Sequence, residues 1–290
     1  MNTFIFGAGF SGLETGKHLS AAGHKVAGTT RSAEKFDRLA AQGMEPFVFD
    51  GTSLSDAVLA RLETVTQLVM SIGPDEGGDP LVPVLRSQLF GALKNLQWIG
   101  YLSTVGVYGD HDGGWVDEET VCKPVSQRSV QRLEAEQAWQ EFAAEMNVPL
   151  AILRLSGIYG PGRNTFVNLA SGTAKRIIKP NQVFNRIHVS DIASAVLHLG
   201  SKNTGGLFNV TDNEPAPPQD VVTYAANLMG VTPPQEIAYD EAQMSPMARS
   251  FYGEVKKVSN AKLRGTGFEF QYPNYRVALN ALWDNQNWKR

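Results

Sequence analysis

Short apolar runs alternate with polar stretches along the first two hundred positions. Runs at 4–6, 25–29, 45–49, 67–72, 98–103, 150–155 and 206–210 predict strands. Between them, helix-compatible segments fall at 13–22, 32–41, 56–62, 81–95 and 127–146, and from a cap at Ser190 or Asp191 through Leu199. Further helices are predicted over 219–229 and 275–283. The strands are mostly continuous apolar runs rather than alternating ones, so both of their faces are buried. Alternating β and α elements with right-handed crossovers predict an α/β fold, a Rossmann-like doubly wound parallel sheet. Residues 1–160 would form its core, with 186–211 returning to it. Residues 161–185 and 212–290 would make a small, interleaved substrate-binding lobe, since no linker separates the two parts.

Such sheets bind ligands beyond the carboxyl ends of their strands. The first strand runs directly into Gly7-Ala8-Gly9-Phe10-Ser11-Gly12, followed by a helical stretch that ends at Gly23. Strand, glycines, helix is the context in which G-x-G-x-x-G cradles a dinucleotide pyrophosphate. Gly7 would allow the turn, Gly9 the approach of the phosphates and Gly12 close helix–strand packing. Thr30, Arg31 and Ser32 follow the second strand, where an NAD site carries an acid. Arg31 can instead pair with a 2′-phosphate, which favours NADP(H) over NAD(H); the alternative is a solvated helix-start arginine. Asp50 follows the third strand and could accept from an adenine amine or cap a helix. Ser71, Ile72 and Gly73 follow the fourth, at the ribose and nicotinamide end. Ser103 and Thr104 end the fifth strand, placing hydroxyls where a reacting carbonyl would lie; turn formation explains them equally well.

A net charge of -3 leaves no basic footprint for nucleic acid. Cys122 is the only cysteine and the five histidines are scattered, so neither a disulfide within the chain nor a metal site is expected. No apolar run is long enough to span a membrane and no secretory pattern opens the sequence, which predicts a cytoplasmic protein.

The chain resembles the extended and atypical short-chain dehydrogenase/reductases, the NAD(P)-dependent epimerase/dehydratase group. The resemblance rests on the opening glycines, on Leu102-Ser103-Thr104-Val105-Gly106-Val107-Tyr108-Gly109, on Leu153-Arg154-Leu155-Ser156-Gly157-Ile158-Tyr159-Gly160-Pro161-Gly162-Arg163, on Arg186-Ile187-His188-Val189-Ser190-Asp191, and on Phe208-Asn209-Val210. The segments 258–263 and 272–276 resemble a bacterial subgroup described as nucleoside-diphosphate-sugar epimerase-like. The resemblance implies a polar, sugar-nucleotide-like substrate, cofactor contacts from Arg132 and Leu155, and a helix-orienting role for His188. It also implies a possible homodimer through the helix that bears Arg128.

One departure matters. The family's Tyr-x-x-x-Lys pair falls on Arg128 and Arg132, and arginine cannot serve as a general acid or base near neutral pH. With Arg154, Arg163 and Arg186, these arginines could hold an anionic substrate; alternatively, Arg128 and Arg132 make a solvated basic face paired with Glu134 and Glu136. Ser103, Thr104, Tyr108 and Tyr159 remain as candidate proton donors. Three functions follow: a hydride-transferring oxidoreductase with a non-standard proton donor, an epimerase or dehydratase that regenerates its cofactor, and a non-catalytic NADP(H)-binding sensor or regulatory module.

Overall fold

The structure, a computed structural model, describes residues 1–89 and 93–289. The chain divides into two compact units. Unit 1 comprises Met1–Val107, Gln127–Leu155 and Ile192–Phe208; unit 2 comprises Tyr108–Ser126, Ser156–Asp191 and the chain from Asn209 onward. The segment Tyr108–Ser126 thus falls with unit 2.

Unit 1 carries β1 (Asn2–Phe6), β2 (Lys25–Thr30), β3 (Met44–Val48), β4 (Gln67–Met70) and β5 (Trp98–Thr104). The strands Leu150–Leu155 and Gly206–Val210 extend the sheet, whose order is Gly206–Val210, Leu150–Leu155, β5, β4, β1, β2, β3. The five pairings from Leu150–Leu155 across to β3 are all parallel. Phe4, Ile5 and Phe6 are fully buried, as a central strand covered on both faces requires. The chain builds outward from β1 to β3 and then returns to β4 on the other side of β1. That reversal opens a crevice at the carboxyl ends of β1 and β4.

The helices of unit 1 include α1 (Phe10–Ala21), α2 (Phe36–Ala40), α3 (Asp56–Leu62), α4 (Val82–Leu89) and α5 (Gln127–Glu145). The helix predicted over 32–41 is interrupted: a 3₁₀ turn at Ala33–Lys35 precedes α2, and the Ser32 side chain caps neither. Of the helix predicted over 81–95, residues 90–92 lie outside the described residues and 93–95 are not helical. Asp79 fixes the start of α4, accepting from the N–H groups of Leu81 (2.9 Å) and Val82 (3.0 Å). Its other oxygen accepts from Trp139 Nε1 on α5 at 2.8 Å. Trp139 stacks on Tyr101 of β5 with centroids 6.0 Å apart, and meets Phe142 edge-on.

Unit 2 contains three two-stranded parallel ladders. Gly157–Tyr159 pairs with Arg186–His188, Arg176–Ile178 with Glu236–Ala238, and Trp115–Val116 with Lys257–Val258. An apolar cluster there joins Phe166, Val221, Ala225, Tyr275, Leu279, Leu282 and Trp288. Asn164 closes this region: its amide donates to the carbonyls of Gly160 (2.8 Å) and Trp288 (2.9 Å), and its oxygen caps the helix Thr165–Ala170. No described helix is long and apolar enough to cross a membrane.

Trp139→Ala removes a fully buried ring and strands one oxygen of Asp79. Urea denaturation followed by circular dichroism should show a loss of about 3–5 kcal/mol.

Candidate dinucleotide site

The glycine loop leaves β1 at Gly7, whose φ of +88° suits a residue without Cβ. The loop is held against β2: Gly7 N donates to Thr29 Oγ1 at 2.9 Å and Ala8 N to Thr29 O at 2.8 Å. A Cβ on Gly12 would lie 2.4 Å from Gly7 O, so this helix start tolerates no side chain there. Gly9 is different. It is exposed, and nothing lies within 4 Å of where its Cβ would project. No side chain caps α1, and its first turn holds no acid. The positive end of this 12-residue helix, with no side-chain cap, fits a pyrophosphate, with Phe10 half-buried and Ser11 buried beside it.

The other strand ends line up as the fold requires. Thr30 is half-buried and Arg31 is exposed, which fits a 2′-phosphate contact and a solvated helix-start arginine alike. Ser32 Oγ donates weakly to Glu34 at 3.4 Å. Asp50 is exposed and folds back on its own turn, accepting from Thr52 N (2.9 Å) and Thr52 Oγ1 (2.7 Å). Those bonds hold its carboxyl below the usual range. Ser71 and Ile72 are half-buried, Gly73 is exposed, and Leu155 is buried.

The four candidate hydroxyls separate clearly. Ser103 is buried and donates to Glu136 Oε1 at 2.5 Å. Glu136 is itself gripped by Arg154 through Nε (3.1 Å) and a terminal nitrogen (2.7 Å). Tyr108 lies in unit 2, fully buried, with its hydroxyl donating to Asn209 at 2.8 Å. Thr104 is half-buried; its oxygen accepts from Gly106 N at 3.1 Å, and its proton has no acceptor among the described residues. Ser103 and Tyr108 are therefore sequestered in buried hydrogen bonds, the Tyr159 hydroxyl is buried in unit 2 with its pKa raised by burial, and Thr104 is the accessible hydroxyl.

Arg132 spans two strand ends. One terminal nitrogen donates to Leu102 O (2.9 Å) and Tyr101 Oη (3.1 Å), and the guanidinium lies 5.6 Å from the Tyr101 ring centre. The other terminal nitrogen is 3.0 Å from where a Cβ on Gly73 would sit. Burial raises the Tyr101 hydroxyl above its ordinary range. Arg128, one turn earlier, is exposed. The alternative, a basic face paired with Glu134 and Glu136, does not form among the described residues: Glu136 is buried against Arg154 and Ser103. Neither Arg128 nor Arg132 has an ion pair among the described residues. Arg128 also sits in the first turn of α5, which holds no acid. A cation there opposes the helix dipole by about 0.3–1 kcal/mol.

Arg163 and Arg186 belong to unit 2. Arg163 is exposed in the turn closed by Gly160. Arg186 donates to the carbonyls of Phe184 (2.9 Å) and Ala216 (3.0 Å), and burial lowers its pKa. His188 accepts from Ser190 N at 3.3 Å, consistent with the helix-orienting role the resemblance implies. Two buried carboxyls lie in the same unit. Burial pushes Asp212 up to about 7, against the Glu214 N–H and the Arg186 charge. It pushes Asp191 up to about 6, against the N–H groups of Gln271 and Tyr272. Tyr101 was overlooked in the sequence, and Glu136 was read only as a partner of Arg128 and Arg132; the spacing of those three, one helical turn apart each, could not show that Glu136 turns to Arg154 and Ser103 instead. No group of metal-ligating side chains occurs among the described residues.

A doubly wound parallel sheet with an open glycine loop at its switch point defines an NAD(P)-binding α/β protein. The chain belongs to the NAD dependent epimerase/dehydratase family, which it matches over residues 4–211. A functionally unknown conserved protein from Silicibacter pomeroyi DSS is 42% identical, with a TM-score of 0.88 and coverage of 98% of this chain and 99% of that one. Protein YeeZ of Escherichia coli K12 is 29% identical over 283 residues, 93% of this chain and 96% of that protein. The human epimerase family protein SDR39U1, solved with NADPH, shares the fold at a TM-score of 0.78 and 17% identity, covering 98% of this chain and 100% of that one.

Two outcomes test this geometry. Glu136→Ala removes the bidentate carboxylate partner of buried Arg154, and should cost about 3–5 kcal/mol in chemical denaturation. Asp212 and Asp191 bind protons more tightly folded than unfolded, so stability should fall as pH rises from about 4 to about 7 through their native values. Asp212→Asn should flatten that slope in melting curves taken across the window.

Proposed function

We propose that the chain is an NADP(H)-dependent oxidoreductase acting on a polar, sugar-nucleotide-like substrate without a Tyr–Lys proton pair. The observation that carries this reading is the open Gly9 cradle, flanked by exposed Arg31 at the end of β2 and by Arg132 across the ends of β4 and β5. Bound NADP(H) supplies a hydride. The chain's own residues bind and orient: the start of α1 holds the pyrophosphate, and Arg31 pairs with the 2′-phosphate in the geometry that guanidinium favours. Thr104 donates a hydrogen bond to the substrate oxygen, and Arg132 stabilises negative charge developing there. Arginine exchanges no proton near neutral pH, so the proton comes from solvent. Arg128 offers a second cation for an anionic substrate group.

A second reading, a non-catalytic NADP(H)-binding sensor, draws on the sequestration of Ser103 and Tyr108. Two measurements separate the alternatives. In fluorescence titrations, Arg31→Ala should weaken NADPH by about tenfold and leave NADH nearly unchanged, as expected for loss of a charge-assisted pair. Equal binding of NADPH and NADH by the unaltered protein removes the NADP(H) assignment. With NADPH and a panel of nucleotide sugars, Thr104→Val should lower turnover by about 100-fold, as loss of one preorganised donor does. Tight NADPH binding with no product from any substrate, by absorbance and by product analysis, supports the sensor.

A further inference from the structure

We infer that this site selects the redox state of its cofactor: it holds the reduced nicotinamide in preference to the oxidised one. The inference rests on the cofactor assignment above, which places the nicotinamide end beside Ser71, Ile72 and Gly73. Oxidised and reduced forms share the same phosphates, ribose and adenine. They differ by one positive charge on the nicotinamide ring. Any charge the protein fixes near that ring therefore acts on the ratio of the two affinities and cancels elsewhere.

The charge fixed there is positive. Arg132 lies against Gly73 and is held by Tyr101 and Leu102, so it cannot swing away without losing those bonds. The nearby anions are already engaged. Glu136, one turn along α5, is clamped by Arg154 and Ser103. Asp79 spreads its two oxygens over Leu81 N, Val82 N and Trp139 Nε1. Asp75, just beyond Gly73, is exposed and turns back to accept from Gly77 N at 2.8 Å; Glu76 is exposed to solvent. Tyr101, the hydroxyl in contact with Arg132, is raised by burial and stays neutral, so it does not offset the guanidinium. Arg128, one turn before Arg132, adds to the same sign. In the family pattern the tyrosine can carry negative charge beside the lysine; here both positions are permanently cationic. At the dielectric of a half-buried site, like charges a few ångströms apart discriminate by an order of magnitude or more.

This bias has a chemical consequence. A reaction that begins by oxidising its substrate needs the oxidised cofactor at rest, whereas a site that favours the reduced form starts from reduction. The bias therefore points to a reductase rather than to an epimerase or dehydratase.

Equilibrium titrations of the intact protein with NADPH and with NADP+ at low salt test the inference. NADPH should bind at least tenfold more tightly. Arg132→Met should bring the two dissociation constants to within about threefold, whereas Arg132→Lys, which keeps the charge, should preserve most of the difference. Arg128→Met changes an exposed side chain, so the fold should persist, with an unchanged melting temperature as the check, while the ratio narrows. Arg31→Ala should weaken both nucleotides and leave their ratio intact. The ratio should hold from pH 6 to pH 9, because no guanidinium titrates there. Dissociation constants within threefold in the unaltered protein overturn the inference, as does a ratio that neither Arg132→Met nor Arg128→Met moves. If neither nucleotide binds, the cofactor assignment fails and the inference fails with it; if both bind equally, only the inference fails.

Discussion

The grip of Arg154 on Glu136, closed by Ser103, is the interaction on which the candidate site depends. It joins α5, β5 and the strand Leu150–Leu155 at one buried point. Ser103 and Arg154 are register partners on adjacent strands, so the helix carboxylate meets both at once. Replacing such a pair with apolar residues can be neutral, but removing one partner leaves a buried charge uncompensated. The clamp also fixes the phase of α5. One turn before Glu136, Arg132 lies over Leu102 and Gly73; one turn after it, Trp139 reaches Asp79 and Tyr101.

That phase gives the site its sign. The carboxylate that could have neutralised Arg132 is spent on Arg154, so the ends of β4 and β5 carry a cation with no described counter-ion. The glycine loop is electropositive for an independent reason, the uncapped start of α1. The glycine loop suits the phosphates of a dinucleotide, and the proposal above puts Arg132 at its nicotinamide end. Membership of the NAD dependent epimerase/dehydratase family supplies the cofactor class. It does not supply the proton chemistry, which the proposal above assigns without a Tyr–Lys pair.

Regular, strongly patterned elements were legible from the chain. β1 and its glycines, β4 and α5 lie close to where periodicity placed them, because continuous apolar runs and helical spacing encode burial directly. The break between residues 32 and 41 was not legible, since nothing in the sequence shows that Ser32 fails to cap. The short ladders of unit 2 were missed for another reason. Two or three residues carry too little periodicity to announce a strand, and their pairing is set by distant segments such as Lys257–Val258 against Trp115–Val116.

By itself the sequence determined the doubly wound fold and the strand–glycine–helix unit that opens it, because these are local patterns at fixed spacing. Only the tertiary structure decided which hydroxyl is open and which charges are free. Ser103 and Thr104 are neighbours with the same functional group, yet strand alternation turns Ser103 inward to Glu136 and leaves Thr104 half-exposed. Glu136 lies one turn from Arg132 and could have paired with it, but Arg154, 18 residues away, is the partner that packing brings within 2.7 Å. Spacing along a helix fixes which residues can meet; the strand against which the helix packs fixes which of them do.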